Sequence, residues 1–116
     1  PGAVGPYSQA IHVGNLMFTS GQLPIDPTTG KIPKGPISVR VHQAIKNLSA
    51  IVTEAGATLD DVVKTTVFLA DIADFQEVNG VYSEYFKSPY PARSAFQVAA
   101  LPLGADIEIE AIVLIQ

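Results

Sequence analysis

Three charged side chains interrupt two apolar segments near the end of the chain. Arg93 lies in the first segment, 91–98, while Glu108 and Glu110 lie on one face of the second, 106–115, which itself starts with Asp106. Alternation of apolar and polar residues with a period of two predicts a β-strand in each segment. Burying a charge is costly unless the charge is paired, so these three residues need a structural or a chemical reason.

The pattern alone leaves two interpretations of these charges open. In the first, Arg93 and the two carboxylates form an ion pair that serves only the fold. In the second, Arg93 belongs to a pocket for a small anionic substrate, because a guanidinium fork can hold a carboxylate through two parallel hydrogen bonds. The rest of the chain, which positions the two strands, has to decide between these two interpretations.

The composition predicts one globular domain over residues 1–116 and excludes several classes of protein. The chain is 47% apolar and has nine glycines and nine prolines, so it can bury a core between well-defined loops. The net charge is −4 and the seven Lys and Arg are scattered, so no patch for nucleic acid is visible. Cysteine is absent, and no apolar run has the length of a membrane span. We therefore expect a cytoplasmic protein that binds neither membranes nor nucleic acid.

The first half of the chain predicts a β-hairpin and a helix. Ala10–Val13 and Leu16–Ser20 flank a Gly-Asn dipeptide that suits a two-residue turn. The helix is predicted to start after Ser38 as its N-cap and to end at Gly56. Its buried face is predicted from apolar residues at three- and four-residue spacing: Val41, Ala44, Ile45, Leu48, Ile51, Val52 and Ala55. Its solvated face is predicted to carry Arg40, Gln43, Lys46, Asn47 and Glu54.

The second half adds a strand, a helix and the two final strands. Val62–Leu69 is rich in β-branched residues and predicts a strand. Asp71 is the predicted cap of the second helix. The apolar stripe of that helix consists of Phe75, Val78, Tyr82, Tyr85 and Phe86. The order β-β-α-β-α-β-β predicts an α+β fold, with a mixed sheet and both helices on one face.

The last strand also predicts self-association. Its odd-numbered residues are apolar and are expected to face the helices, whereas its even-numbered residues are acidic at one end and apolar at Ile112 and Leu114. A strand that is apolar on both faces needs covering on both faces. Because two helices can cover only one face, we expect subunits to bury the other face against each other and to leave clefts between them.

Five short blocks in order along the chain resemble the RidA family, also called YjgF, of enamine and imine deaminases. The blocks are GPYSQA at 5–10, TSGQLP at 19–24, VNGVY at 78–82, PARS at 91–94 and IEIEA at 107–111. Each block alone is a weak signal, but five blocks in register over essentially the whole chain are specific. The resemblance implies a chorismate-mutase-like α+β layer, assembled as a homotrimer with three clefts between subunits.

The resemblance further implies hydrolysis of 2-imino acids and their enamine tautomers to 2-keto acids and ammonia. Substrates such as 2-iminobutanoate and 2-iminopropanoate are released by pyridoxal-phosphate dehydratases that act on threonine or serine, so a functional link to those enzymes is implied. We expect the protein itself to need neither a cofactor nor a metal ion.

The same resemblance assigns roles to individual residues. Arg93 would hold the substrate carboxylate, and Glu108 would position and activate the attacking water, with Glu110 as a structural neighbour. Backbone groups at Gly21 and Ala95 would line the cleft near the imine. Many family members have cysteine at the position of Ala95, so thiol-dependent regulation is not expected here. Three further positions would hydrogen-bond the substrate, the water or the loops around the site: Tyr7, Ser20 and Asn79.

Two functions of other classes remain as alternatives. A regulatory trimer could bind 2-keto acids in the same anion cleft without turnover. Endoribonuclease activity or inhibition of translation is also ascribed to this family, although the acidic charge balance counts against RNA binding.

Overall fold

The computed structural model describes residues 1–116 and has one layer of β-strands and one of α-helices. In chain order the elements are β1 Ala10–Val13, β2 Leu16–Thr19, α1 Ile37–Glu54, β3 Val62–Leu69, α2 Phe75–Tyr85, β4 Ala92–Gln97 and β5 Ile107–Leu114. This order confirms the predicted α+β fold. Neither helix combines the length and the hydropathy that crossing a membrane requires.

The sheet has the strand order β1-β2-β5-β3-β4. The pair β3–β4 is parallel, and the other neighbouring pairs are antiparallel, so the sheet is mixed as predicted. This order places Glu108 and Glu110 on the central strand β5, whereas Arg93 lies on the edge strand β4.

Both helices pack on the same face of the sheet and form the core with it. The odd-numbered residues of β5 point into this core, in agreement with the alternation of the sequence. The core residues include Val41, Leu48 and Val52 of α1, Val78 and Tyr82 of α2, and Ile107, Ile109, Ala111 and Val113 of β5. Burying these side chains stabilises the helix layer on the sheet, because each removes apolar surface from water.

The helix boundaries differ from the prediction in two places. The N-cap of α1 is Pro36, which makes no side-chain cap hydrogen bond, and Ser38 lies inside the first turn. Proline can begin a helix there because its fixed φ suits the entry of the chain and no backbone N–H is needed. Gly56, which follows the C-cap residue Ala55 of α1, has φ +83°, as a left-handed terminating residue should. Asp71 caps the 3₁₀ turn that precedes α2, rather than α2 itself.

Two residues that were predicted on the solvated face of α1 are instead polar anchors, and that prediction is wrong. Asn47 is 3% exposed, and its Nδ2 donates hydrogen bonds to the carbonyls of Leu23 (3.0 Å) and Ile25 (2.8 Å). Arg40 Nε donates to Asp106 Oδ2 at 2.8 Å. The loop before α1 and the start of β5 return across this side of the helix, which helical periodicity cannot show.

The second face of the sheet is uncovered within one chain. Its apolar end includes Ile11, Val13 and Phe18, whose exposed fractions are 55%, 60% and 43%. In the strand register Phe18 lies beside Ile112. This is the face for which the sequence predicts a covering subunit.

Candidate active site

The seven predicted site residues fall into two groups on the molecule. One cleft is lined by Tyr7, Ser20, Gly21 and Glu108. Another is lined by Asn79 and Arg93. Ala95 follows Arg93 two residues along β4, on the same face of that strand.

Arg93 is held on the helix side of the sheet by uncharged groups only. Its Nη1 donates a hydrogen bond of 2.7 Å to Asn79 Oδ1. Its Cζ lies 5.2 Å from the ring centroid of Phe75 and 4.9 Å from that of Tyr82. The faces of aromatic rings attract a cation, so two rings from α2 stabilise the guanidinium without neutralising it.

Arg93 has no carboxylate partner, so the structural ion pair that the sequence left open is not formed. Arg40 forms an ion pair with Asp106, and the other close pair of a basic and an acidic side chain is His42 with Glu84, at 3.9 Å. A guanidinium has five N–H donors, and Asn79 accepts from one of them. A partly buried cation with free donors in a cleft has the chemistry that suits an anionic ligand.

Glu108 lies on the opposite face of the sheet and packs directly against Gly21. A Cβ atom at position 21 would overlap Glu108 Oε1 and would lie 2.7 Å from its Cδ and 2.9 Å from its Cγ. The carboxylate can occupy this place only because residue 21 has no side chain.

The environment of Glu108 suits proton transfer. Burial raises the pKa of the Glu108 carboxyl above its ordinary value, and the neighbouring charge of Glu110 raises it further. A carboxyl whose pKa is moved toward neutrality exchanges a proton with a reacting group more readily at neutral pH. The direction of this pKa shift is the one that suits a general base or acid.

The loop that carries Tyr7 is held against the Glu108 cleft by side chains from the β2 end. Ser20 Oγ donates a hydrogen bond of 2.6 Å to the carbonyl of Ser8. Gln22 is 4% exposed, and its Nε2 donates to Gln9 Oε1 at 2.8 Å. Sequence reasoning missed both glutamines, although each lies inside one of the five family blocks. The hydroxyl of Ser20 therefore shapes the loop beside the cleft.

Sequence reasoning also missed the aromatic cage of Arg93, which consists of Phe75 and Tyr82. The stripe of aromatic residues predicted core packing, and Tyr82 is indeed 6% exposed. The available signal was the position of Tyr82 in the family block VNGVY, three residues after Asn79 and thus on the same side of the helix.

No group of three or more His, Cys, Asp or Glu side chains is placed to hold a metal ion.

Arg93 and Glu108 cannot contact one small ligand within a single chain. In the register of the sheet Arg93 pairs with Thr65 of β3, whereas Glu108 pairs with Phe68 of the same strand. Their side chains leave opposite faces, with β3 between them. A site that uses both groups therefore needs a second copy of the chain.

Comparisons with known proteins cover both groups of residues. Residues 1–115 match the family model described as Endoribonuclease L-PSP. A RutC family protein, y4sK, of Sinorhizobium fredii is 55% identical over 113 residues, which are 97% of this chain and 90% of that protein. The human 2-iminobutanoate/2-iminopropanoate deaminase is 53% identical over 112 residues, which are 97% of this chain and 82% of that protein. The crystal structure of E. coli TdcF with bound serine has a TM-score of 0.94 at 43% identity, covering 100% of this chain and 93% of TdcF.

Proposed function

Because the chain belongs to the RidA family, whose matching model is described as Endoribonuclease L-PSP, we propose that it hydrolyses 2-imino acids and their enamine tautomers to 2-keto acids and ammonia. The substrates would be small, such as 2-iminobutanoate and 2-iminopropanoate. The name of the human relative supports this choice within the family.

The observation that carries the proposal is the unpaired guanidinium of Arg93. A 2-imino acid carries a carboxylate next to its reacting carbon, and a guanidinium fork holds such a group through two parallel hydrogen bonds. The donors of Arg93 that Asn79 does not use can serve this purpose. Serine, which is bound in the TdcF structure, also carries a carboxylate next to its nitrogen-bearing carbon.

In the proposed reaction the imine nitrogen carries a proton from solvent (C=NH2⁺), and Glu108 accepts a proton from water as the water oxygen bonds to the imine carbon. The electron pair of the C=N bond moves to nitrogen, which gives a carbinolamine. Glu108 then returns the proton to this nitrogen, the C–N bond breaks, and ammonia leaves. The remaining hydroxyl releases its proton to solvent and becomes the carbonyl of the 2-keto acid. Each proton transfer of this kind typically contributes about 10²–10⁴-fold to a rate.

The proposed site lies between two copies of the chain in a homotrimer. Arg93 would come from the edge strand β4 of one copy, and Glu108, Gly21 and Tyr7 from the next copy. The uncovered apolar end of the sheet supports this assembly, because a second copy would remove the exposed Ile11 and Phe18 side chains from water. The assembly would bring together the two groups that one chain keeps apart.

A coupled assay tests the proposed function. The protein is added to a pyridoxal-phosphate threonine dehydratase that releases 2-iminobutanoate, and ammonia is followed over time. We expect faster release than spontaneous hydrolysis gives. No acceleration at any protein concentration would contradict turnover. If 2-ketobutyrate then still raised the melting temperature, the protein would be a 2-keto acid-binding regulator instead.

The description of the family model also favours a second candidate function, cleavage of RNA. The net charge of −4 and the scattered cations oppose it, because neutralisation of phosphates supplies most of the affinity for RNA. Binding of labelled RNA, measured at low and at physiological salt, should be absent. Salt-sensitive binding together with cleavage would favour this candidate over the deaminase.

Glu108→Gln is expected to raise the melting temperature at neutral pH while it removes turnover. The pKa of Glu108 is raised by burial and by Glu110, so between the unfolded value of about 4.3 and the raised value the folded protein binds more protons than the unfolded chain. Stability therefore falls as pH rises through that window. The increase in stability that glutamine gives over glutamate should be complete above the raised pKa of Glu108 and absent below about pH 4.

Thermal unfolding of both proteins between about pH 4 and pH 8 measures this difference. Glu54→Gln, at the exposed end of α1, is the control and should change the melting temperature little. The turnover of the native protein should decline as pH falls through the raised pKa of Glu108. A melting temperature that is lower for Glu108→Gln than for the native protein at neutral pH would contradict the buried-charge argument.

A further inference from the structure

Thr65 is a polar residue at a position where a valine would fit. Its side chain is fully buried in β3, between Arg93 of β4 and Ala111 of β5 in the sheet register. Its hydroxyl forms a hydrogen bond of 2.8 Å with the hydroxyl of Tyr82. A buried hydroxyl must be hydrogen-bonded, so this pair is a feature that simple apolar packing would not need.

Tyr82 connects this buried hydroxyl to the guanidinium of Arg93. Its ring packs against Phe86, with ring centroids 4.4 Å apart, and its centroid lies 4.9 Å from Arg93 Cζ. The hydrogen bond to Thr65 fixes the far end of the ring. Thr65 and Arg93 are themselves paired across β3 and β4, so the three residues form a closed triangle.

The orientation of the guanidinium is the property that this triangle can control. A bidentate hold on a carboxylate requires the plane of the guanidinium to match the plane of the carboxylate, and small misplacements in such a site are costly. Asn79 accepts from one N–H of Arg93, but a single hydrogen bond leaves rotation about that bond. The ring of Tyr82, fixed by Thr65, limits this rotation.

We propose that Thr65 and Tyr82 are positioning residues, which set the plane of the Arg93 guanidinium and thereby the affinity of the site for 2-keto and 2-imino carboxylates. The proposal rests on the proposed function, which assigns Arg93 to the substrate carboxylate. Neither Thr65 nor Tyr82 needs to touch the reacting atoms.

Three variants separate this positioning role from a structural role: Tyr82→Phe, Thr65→Val and the double variant. Each single variant leaves one buried hydroxyl without a partner and should lower the melting temperature. The double variant removes both hydroxyls, so its melting temperature should return toward that of the native protein. Affinity should not return with it, because the ring at position 82 still lacks the hydrogen bond that anchors it.

The affinity is measured as the Kd of 2-ketobutyrate by calorimetry on the assembled protein. We expect Kd to rise roughly threefold to tenfold in all three variants, with KM raised in parallel and kcat little changed. Val52→Ala is the control, because Val52 is fully buried and belongs to α1 rather than to α2, β3 or β4, which carry the triangle. It should lower the melting temperature without changing Kd.

The outcomes also separate this proposal from the proposed function. A double variant whose Kd and melting temperature both return to native values would show a purely structural pair and overturn the proposal. Native protein that binds 2-ketobutyrate but does not hydrolyse imines would overturn the deaminase function and leave the Kd comparison valid. Native protein that does not bind 2-ketobutyrate would overturn both.

Discussion

Arg93→Ala is expected to lower kcat/KM for 2-imino acids by about a hundredfold or more, because it removes the only charge that would hold the substrate carboxylate. The variant should fold, since Arg93 is only partly buried and has no carboxylate that would be left unpaired. Its Asn79 contact can be replaced by water. The loss should appear in the dehydratase-coupled assay and equally in the binding of 2-ketobutyrate.

Two companion variants show whether the shape or only the charge of Arg93 matters. Arg93→Lys keeps a positive charge but loses the planar fork, so its kcat/KM should lie between those of the native protein and Arg93→Ala. Lys46→Ala removes a cation from the exposed side of α1 and should leave kcat/KM unchanged. Native kcat/KM in Arg93→Ala would show that the anion is bound elsewhere.

Gly21→Ala is expected to lower kcat by about a hundredfold, because a misplacement of about 1 Å in a reacting group can have this effect. The new methyl group would overlap the Glu108 carboxylate and would lie 2.9 Å from its Cγ, so the side chain of Glu108 must rotate away. The fold should tolerate this change, since the atoms that have to move belong to a flexible side chain. The melting temperature should therefore change little while kcat falls.

Gly80→Ala is the matched control for this substitution. Gly80 lies inside α2, and a Cβ atom there would meet no atom of any other part of the chain within 4 Å. Alanine in a helix interior is favoured over glycine by about 0.5–1 kcal/mol, so the melting temperature should rise and kcat should stay near the native value. Equal kcat values for Gly21→Ala and the native protein would show that the placement of Glu108 does not limit the reaction.

The fold was predictable wherever one periodicity persists within one element. The alternation from Ile107 to Ile115 gave both the strand and the face that it buries. The Gly-Asn turn predicted the hairpin of β1 and β2, and Gly56 predicted the end of α1. These features depend on local conformation and on one buried face, which a single segment of sequence can encode.

The site was less predictable because its contacts join distant segments. Asn47 and Arg40 lie on the polar side of α1, and only the returning loop and Asp106, just before β5, make them polar anchors. The faces that Arg93 and Glu108 occupy relative to each other depend on how β4 and β5 pair with β3, which alternation within each strand does not determine. For the same reason the cage formed by Phe75 and Tyr82 looked like ordinary core.

Arg93 and Glu108 lie on opposite faces of the sheet, so these two charged groups near the end of the chain do not pair with each other within one chain. Arg93 has no counter-charge within the chain, the pKa of the Glu108 carboxyl is raised, and one chain does not bring these two groups together. The proposed deaminase is thus a property of the assembly, with one of these groups from each of two copies.

Subunit mixing tests this claim most directly. The variants Arg93→Ala and Glu108→Gln are each expected to be inactive alone. For the test, equal amounts of the two variants are mixed, unfolded together and refolded. If Arg93 and Glu108 of each site come from different copies, random assortment leaves about a quarter of the sites with both native groups, and about that share of native activity should return. The same two variants, refolded apart and then combined, are the control and should stay inactive. A mixed sample that shows no activity after confirmed exchange of subunits would contradict a site shared between copies.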